Sequence, residues 1–221
     1  MKRLAALCLL ALLAACRQPA PVVHAGPALG LPPRPPHESA TQAQIDLGRK
    51  LFMDRRLSSN NTMSCAMCHV PEQGFAAIEL GTSIGLEGRT LRRNAPTLLN
   101  VAYVGKLFHD GRSPTLEAQA WAPLLNAIEM GNPEDVDLLA KIGKMADYNG
   151  LFEAAFDGAG PDRATVAAAL ASYQRTLVSG NSPFDRWRYG NDTAALNRAQ
   201  RAGFAVFAGK GRCIACHDVG E

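Results

Sequence analysis

From Thr41 onward, stretches with apolar residues at helical spacing alternate with stretches that lack that period. The spacing predicts one helix from about Thr41 through Leu51 and Phe52, and another from about Asn197 through Phe204 and Phe207. Gly160-Pro161-Asp162 predicts a third, with proline in its first turn and Gly180 at its end. Within it Val166, Leu170, Tyr173 and Leu177 share one face, which reads as core rather than cofactor contact. Leu116 to Ile128 and Asp135 to Met145 are further helices. No apolar run alternates with period two, so no sheet is expected. The fold class is mainly α, with long loops.

The first apolar run, Leu4 to Ala15, follows Lys2 and Arg3 and is too short to span a bilayer. Residues 1–15 read as a secretory signal peptide. Leu13-Ala14-Ala15-Cys16 resembles a bacterial lipobox, which would make Cys16 a lipidated first residue in the periplasm. Ordinary cleavage before His24 is the alternative, and Cys8 falls in the removed segment either way. Residues 16–40 read as an extended tether, with seven prolines between Gln18 and Pro36. Of the 221 residues, 47% are hydrophobic and 19% charged, enough apolar material for a core and too little charge for a disordered chain. The net charge is only +3 and no basic run exceeds two residues, so nucleic-acid binding has no electrostatic footprint.

The remaining cysteines carry the chemistry. Cys65-Ala66-Met67-Cys68-His69 and Cys213-Ile214-Ala215-Cys216-His217 both read C-x-x-C-H, the attachment motif of c-type haem. Two thiols at this spacing form thioethers to the vinyl groups of one porphyrin, and the adjacent imidazole reaches the iron. Paired zinc knuckles lie much closer together in sequence. Neither a thioredoxin-type pair nor a local disulfide explains His69 and His217. Each motif is preceded by a similar segment, Gly48 to Phe52 and Gly203 to Phe207, as if one cytochrome-c unit were used twice.

Several ordered segments give this pattern a family likeness. Leu47-Gly48-Arg49-Lys50-Leu51-Phe52, the first haem motif, Arg93-Asn94-Ala95-Pro96-Thr97 and Phe108-His109-Asp110-Gly111-Arg112 occur in that order. Glu129-Met130-Gly131 and Asn181 to Arg186 follow. From Leu47 to its end the chain resembles the bacterial di-haem cytochrome c peroxidase family, MauG-like members included. The resemblance implies two cytochrome-c-like haem domains, over residues 41–190 and from residue 191 onward. The haem on Cys65 and Cys68, with His69 on its iron, would be the peroxide-reactive one. That on Cys213 and Cys216, with His217, would transfer electrons. Glu129 matches the family's distal glutamate, a group able to move the peroxide proton; otherwise it is an ordinary helix-end residue. Gln119 matches a position near the same pocket, and Asn94 matches a ligand of calcium held between the domains. A lone asparagine is ordinarily a turn residue, and calcium needs more oxygens.

Three departures stand out. Leu86 occupies the place of a distal histidine, which implies a first haem that is open at rest. His109 stands where the family usually has a tryptophan between the haems; simple packing there is the competing reading. The sequence stops at Glu221, soon after His217, without the second haem's distal ligand or the other calcium ligands. A fragment with poor activity is therefore expected. The function expected of the whole protein is reduction of hydrogen peroxide to water, with electrons from a small cytochrome c or cupredoxin. The rivals are a MauG-like oxidase of a partner protein and a plain electron carrier. Homodimers are common in the family.

Overall fold

A computed structural model of the protein describes residues 22–23, 28–33 and 39–217. The expected signal peptide and Cys16 lie outside the described residues. The fold is mainly helical, as expected, and its only strand pairing among them is β1 (Val22–Val23) against β2 (Ala40–Thr41). Two stretches of the expected tether are therefore docked. The second is Ala28 to Leu31, where Leu29 O accepts the Asn181 amide at 2.9 Å.

Helix α1, Gln42–Met53, begins where Thr41 offers its hydroxyl to the Gln44 amide and Gln44 returns its carboxamide oxygen. This reciprocal cap is set by residue types and fixes the first turn. Ile45, Leu47, Leu51 and Phe52 then face inward. The one-turn α2, Cys65–Cys68, follows, and α3, Leu116–Leu125, is capped by Thr115. Helices α4 (Asp135–Gly143) and α5 (Leu151–Ala155) add Leu138, Ile142 and Phe152 to the core. Helix α6, Arg163–Gln174, crosses α1 and α3 and is buried along most of its length.

The crossing of α1 and α6 is very close. A Cβ at Gly48 would lie 1.9 Å from Ala169 O. Gly48 has no side chain and the facing Ala169 is small, so the backbones touch where larger residues would hold them apart.

Three sequence expectations need correcting at their ends. Helix α6 starts after Pro161, because the Asp162 carboxylate caps the Thr165 amide and makes Asp162 the boundary residue. It stops at Gln174, well before Gly180: the Leu177 amide donates to Gln174 O and the Val178 amide to Thr176 O, which turns the chain out of the α-helical pattern, and Leu177 O then accepts the Asn100 amide. Helix α3 ends at Leu125, not Ile128, where the Asn126 side chain accepts the Ile128 amide and bends the chain. Likewise α4 ends at Gly143. Helices α7 (Pro183–Tyr189) and α8 (Arg198–Ala208) complete the fold; α8 is capped by Asn197. None of its residues is buried.

Candidate haem site

The first C-x-x-C-H segment is a single helical turn ending at His69, whose amide donates to Cys65 O at 2.8 Å. The His69 ring lies with Nδ1 3.1 Å from Phe75 O and 3.0 Å from Pro96 O. Carbonyl oxygens only accept, so Nδ1 carries the ring hydrogen and Nε2 keeps its lone pair. That is the tautomer an iron ligand requires, held by the outer partners that metal-bound imidazoles use. Burial pushes the imidazole pKa down, so the ring is neutral. Phe52 backs it at a ring-centroid distance of 6.5 Å, and Tyr173 and Phe75 pack on Phe52 in turn.

Both thiols are free. Burial pushes the Cys65 thiol up to about 12. Cys68 is raised by burial and then by the Glu129 carboxylate nearby. Each thus keeps its S–H at neutral pH, the hydrogen that adds across a vinyl bond when a thioether forms. A cavity of about 630 Å³ opens beside the motif, bordered by Met63, Met67, Val70, Ser83 and Ile84. The residues present fit a covalently attached haem.

Glu129 stands near Cys68, carried on a tight turn. Gly131 has φ +72°, and a Cβ there would lie 2.5 Å from Leu86 Cδ2 and 2.8 Å from Ser59 Oγ. The Leu86 amide donates to Ile128 O, and the Ser59 amide donates to Met130 O, each at 2.9 Å. The turn is therefore clamped from two sides, and buried Leu86 forms one jaw. Burial raises the pKa of the half-buried Glu129, with Arg112 acting in the opposite direction. A carboxyl so placed holds a proton more readily than a free one and can take one up and return it.

The other expected residues are more dispersed. Gln119 is half-buried on α3, and no hydrogen bond among the described residues joins it to Glu129. Asn94 spends its carboxamide on Ser83, Ala95 and Ala77. No group of three or more His, Cys, Asp or Glu that could hold a metal ion stands among the described residues. His109 donates from Nε2 to Asn94 O at 3.2 Å, two residues from the carbonyl that holds His69. The second motif repeats the first in part: His217 donates its amide to Cys213 O, and Phe207 lies 6.3 Å from its ring. Its cysteines are exposed. The sequence reading missed Asn126, which grips Glu129, and the Phe75 and Pro96 carbonyls. The spacing Asn126-x-x-Glu129 was the available signal for the first; a carbonyl has none.

A one-turn helix bearing two thiols, followed by an imidazole with a fixed tautomer, defines a helical c-type haem protein. A sequence profile described as di-haem cytochrome c peroxidase matches residues 42–193, and the chain belongs to that family. It is 40% identical over 189 residues to the methylamine utilization protein MauG of Methylophilus methylotrophus, covering 84% of this chain and 55% of that protein. It is 36% identical over 181 residues to a cytochrome c551 peroxidase of Pseudomonas aeruginosa, covering 80% of this chain and 51% of that one. A solved MauG-like protein associated with microbial copper homeostasis superposes with a TM-score of 0.78 at 33% identity, over 88% of this chain and 58% of its own. The chain spans about half the length of the curated relatives it matches.

Proposed function

We propose that this chain forms the peroxide-reactive part of a di-haem peroxidase that reduces hydrogen peroxide to water. In this reading Cys65 and Cys68 anchor one haem and Cys213 and Cys216 the other, with His69 and His217 on the two irons. Bound haem supplies the site for peroxide and the means of passing two electrons to it. Glu129 takes the proton from the nearer peroxide oxygen and returns it to the departing one, so that two further protons and two electrons leave two waters. A second haem, which Cys213, Cys216 and His217 would hold, would take the electrons from a small cytochrome c or cupredoxin. The observation that carries the reading is Glu129, half-buried on its clamped turn beside Cys68. Glu129→Gln in the haem-loaded protein should slow the peroxide reaction by about a hundredfold or more. An unchanged rate would remove Glu129 from the mechanism; absence of peroxide turnover in the haem-loaded wild type would leave an electron carrier.

Leu86 favours a second reading, a peroxide-dependent oxidase of a partner protein. No imidazole occupies its place, and the side chain is locked against Gly131, which supports an iron open at rest. Electron paramagnetic resonance of the ferric protein should show a high-spin first haem; a purely bis-histidine low-spin signal would refute this. Peroxide-dependent oxidation of reduced cytochrome c, set against oxidation of a protein substrate, separates the two activities. We place the protein in the periplasm, lipid-anchored through Cys16. No helix among the described residues is long and apolar enough to cross a membrane. Metabolic labelling with a radioactive fatty acid should mark the protein and not Cys16→Ser.

A further inference from the structure

We propose that Asn126 is the positioning residue that makes Glu129 a one-sided base, occupying Oε1 and leaving Oε2 to exchange the proton. The proposal rests on the peroxidase reading and deepens it. Asn126 Nδ2 donates to Glu129 Oε1 at 2.8 Å. The orientation of the carboxamide is not ambiguous. Its oxygen accepts the Ile128 amide at 3.0 Å, and an amide hydrogen cannot be accepted by the –NH₂ end. The main chain of the same residue holds the rest of the turn. Asn126 O accepts the Glu129 amide at 3.0 Å and the Gly131 amide at 2.9 Å, while its own amide continues α3 by donating to Ala122 O. One residue thus sets both the backbone that carries the carboxylate and the bond that orients it.

The chemical effect has a definite sign. A donor on a carboxylate favours the ionised form, so Asn126 works against burial, which favours the protonated one. The other groups facing Glu129 are the Arg112 guanidinium, which also favours ionisation, and Cys68, whose sulfur is uncharged as a buried thiol and would stay uncharged as a thioether. With Oε1 hydrogen-bonded to Asn126, Oε2 is the freer and more basic oxygen, and the bond fixes the carboxylate's orientation. That is the geometry proton transfer to a fixed acceptor needs.

Asn126→Asp tests this. The new side chain can still accept the Ile128 amide, so the turn is kept, but the donor to Oε1 becomes a like charge. The Glu129 carboxyl band, identified by its loss in Glu129→Gln, is titrated by infrared difference spectroscopy on the haem-loaded ferric protein. Its midpoint should rise by about one pH unit or more. The rising limb of the peroxide rate against pH should move to alkaline by the same amount. Asn126→Ser is the second variant; its hydroxyl can accept from Ile128 but is too short to reach Oε1, and a smaller rise is expected. A midpoint unchanged from wild type in either variant with an unaltered melting temperature overturns the proposal. The infrared midpoint judges Asn126 alone, whereas the peroxide rate of Glu129→Gln judges the peroxidase reading.

Discussion

At the scale of single residues, Gly131 shows how little freedom the turn bearing Glu129 has. Its φ of +72° excludes most side chains, and Leu86 and Ser59 already fill the space a Cβ would need. Gly131→Ala should cost about 1–3 kcal/mol in chemical denaturation, as overpacked sites do. It should also slow the peroxide reaction more than that loss explains, because the displaced turn carries Glu129. A slowed rate with full stability, or lost stability with a normal rate, would separate the two roles. His69 illustrates a different kind of constraint. Its chemistry depends on which nitrogen holds the hydrogen, and two backbone carbonyls decide that.

Among the elements, the two repeated segments make a matched comparison. Gly48 in α1 and Gly203 in α8 each stand four residues before a phenylalanine that backs a motif histidine. Gly48 is pressed against Ala169 O, whereas nothing among the described residues lies within 4 Å of a Cβ at Gly203. The same substitution should therefore have opposite signs. Gly48→Ala should lower stability by about 3 kcal/mol or more, since the clash is with backbone rather than a flexible side chain. Gly203→Ala should raise it by about 0.5–1 kcal/mol through helix propensity. Thermal melts of the two variants check both.

Helix starts were legible in the sequence because caps are local: Thr41 and Asn197 announce their helices by residue type. The end of α6 was not. Leu177 completes the apolar spacing, yet its carbonyl is claimed by Asn100, far away in sequence. The site divides the same way. The C-x-x-C-H spacing, the signature of c-type haem attachment, is written into the chain at Cys65, Cys68 and His69. The grip of Asn126 on Glu129 is a contact that only the bend after Leu125 creates.

Across the whole molecule, buried and paired carboxylates set the response to acid. Asp54 accepts from Arg56 and from the Tyr148 hydroxyl, and Glu117 from Arg175. For both, burial pushes the pKa up but these donors outweigh it, and the net shift is downward. The Asp162 cap is also held low, by the Thr165 amide. A carboxylate with a lowered folded pKa stabilises the fold above its unfolded pKa, and that contribution is lost as pH falls through the folded value. The contribution of these three carboxylates should therefore be level above about pH 5 and fall steeply below about pH 4. Melting temperatures measured across that range would show it; a flat profile would mean these pairs contribute nothing.

The segment from Asn94 to Pro96 has one more consequence. Asn94 O holds His109 and Pro96 O holds His69. Two residues of chain span at most about 7 Å. The separation of the two imidazole anchors is thus ruled off by covalent bonds, which do not stretch. Mutations that let α1 and α6 slide will carry the two rings together as a pair, so their mutual spacing can survive drift that the surrounding core cannot.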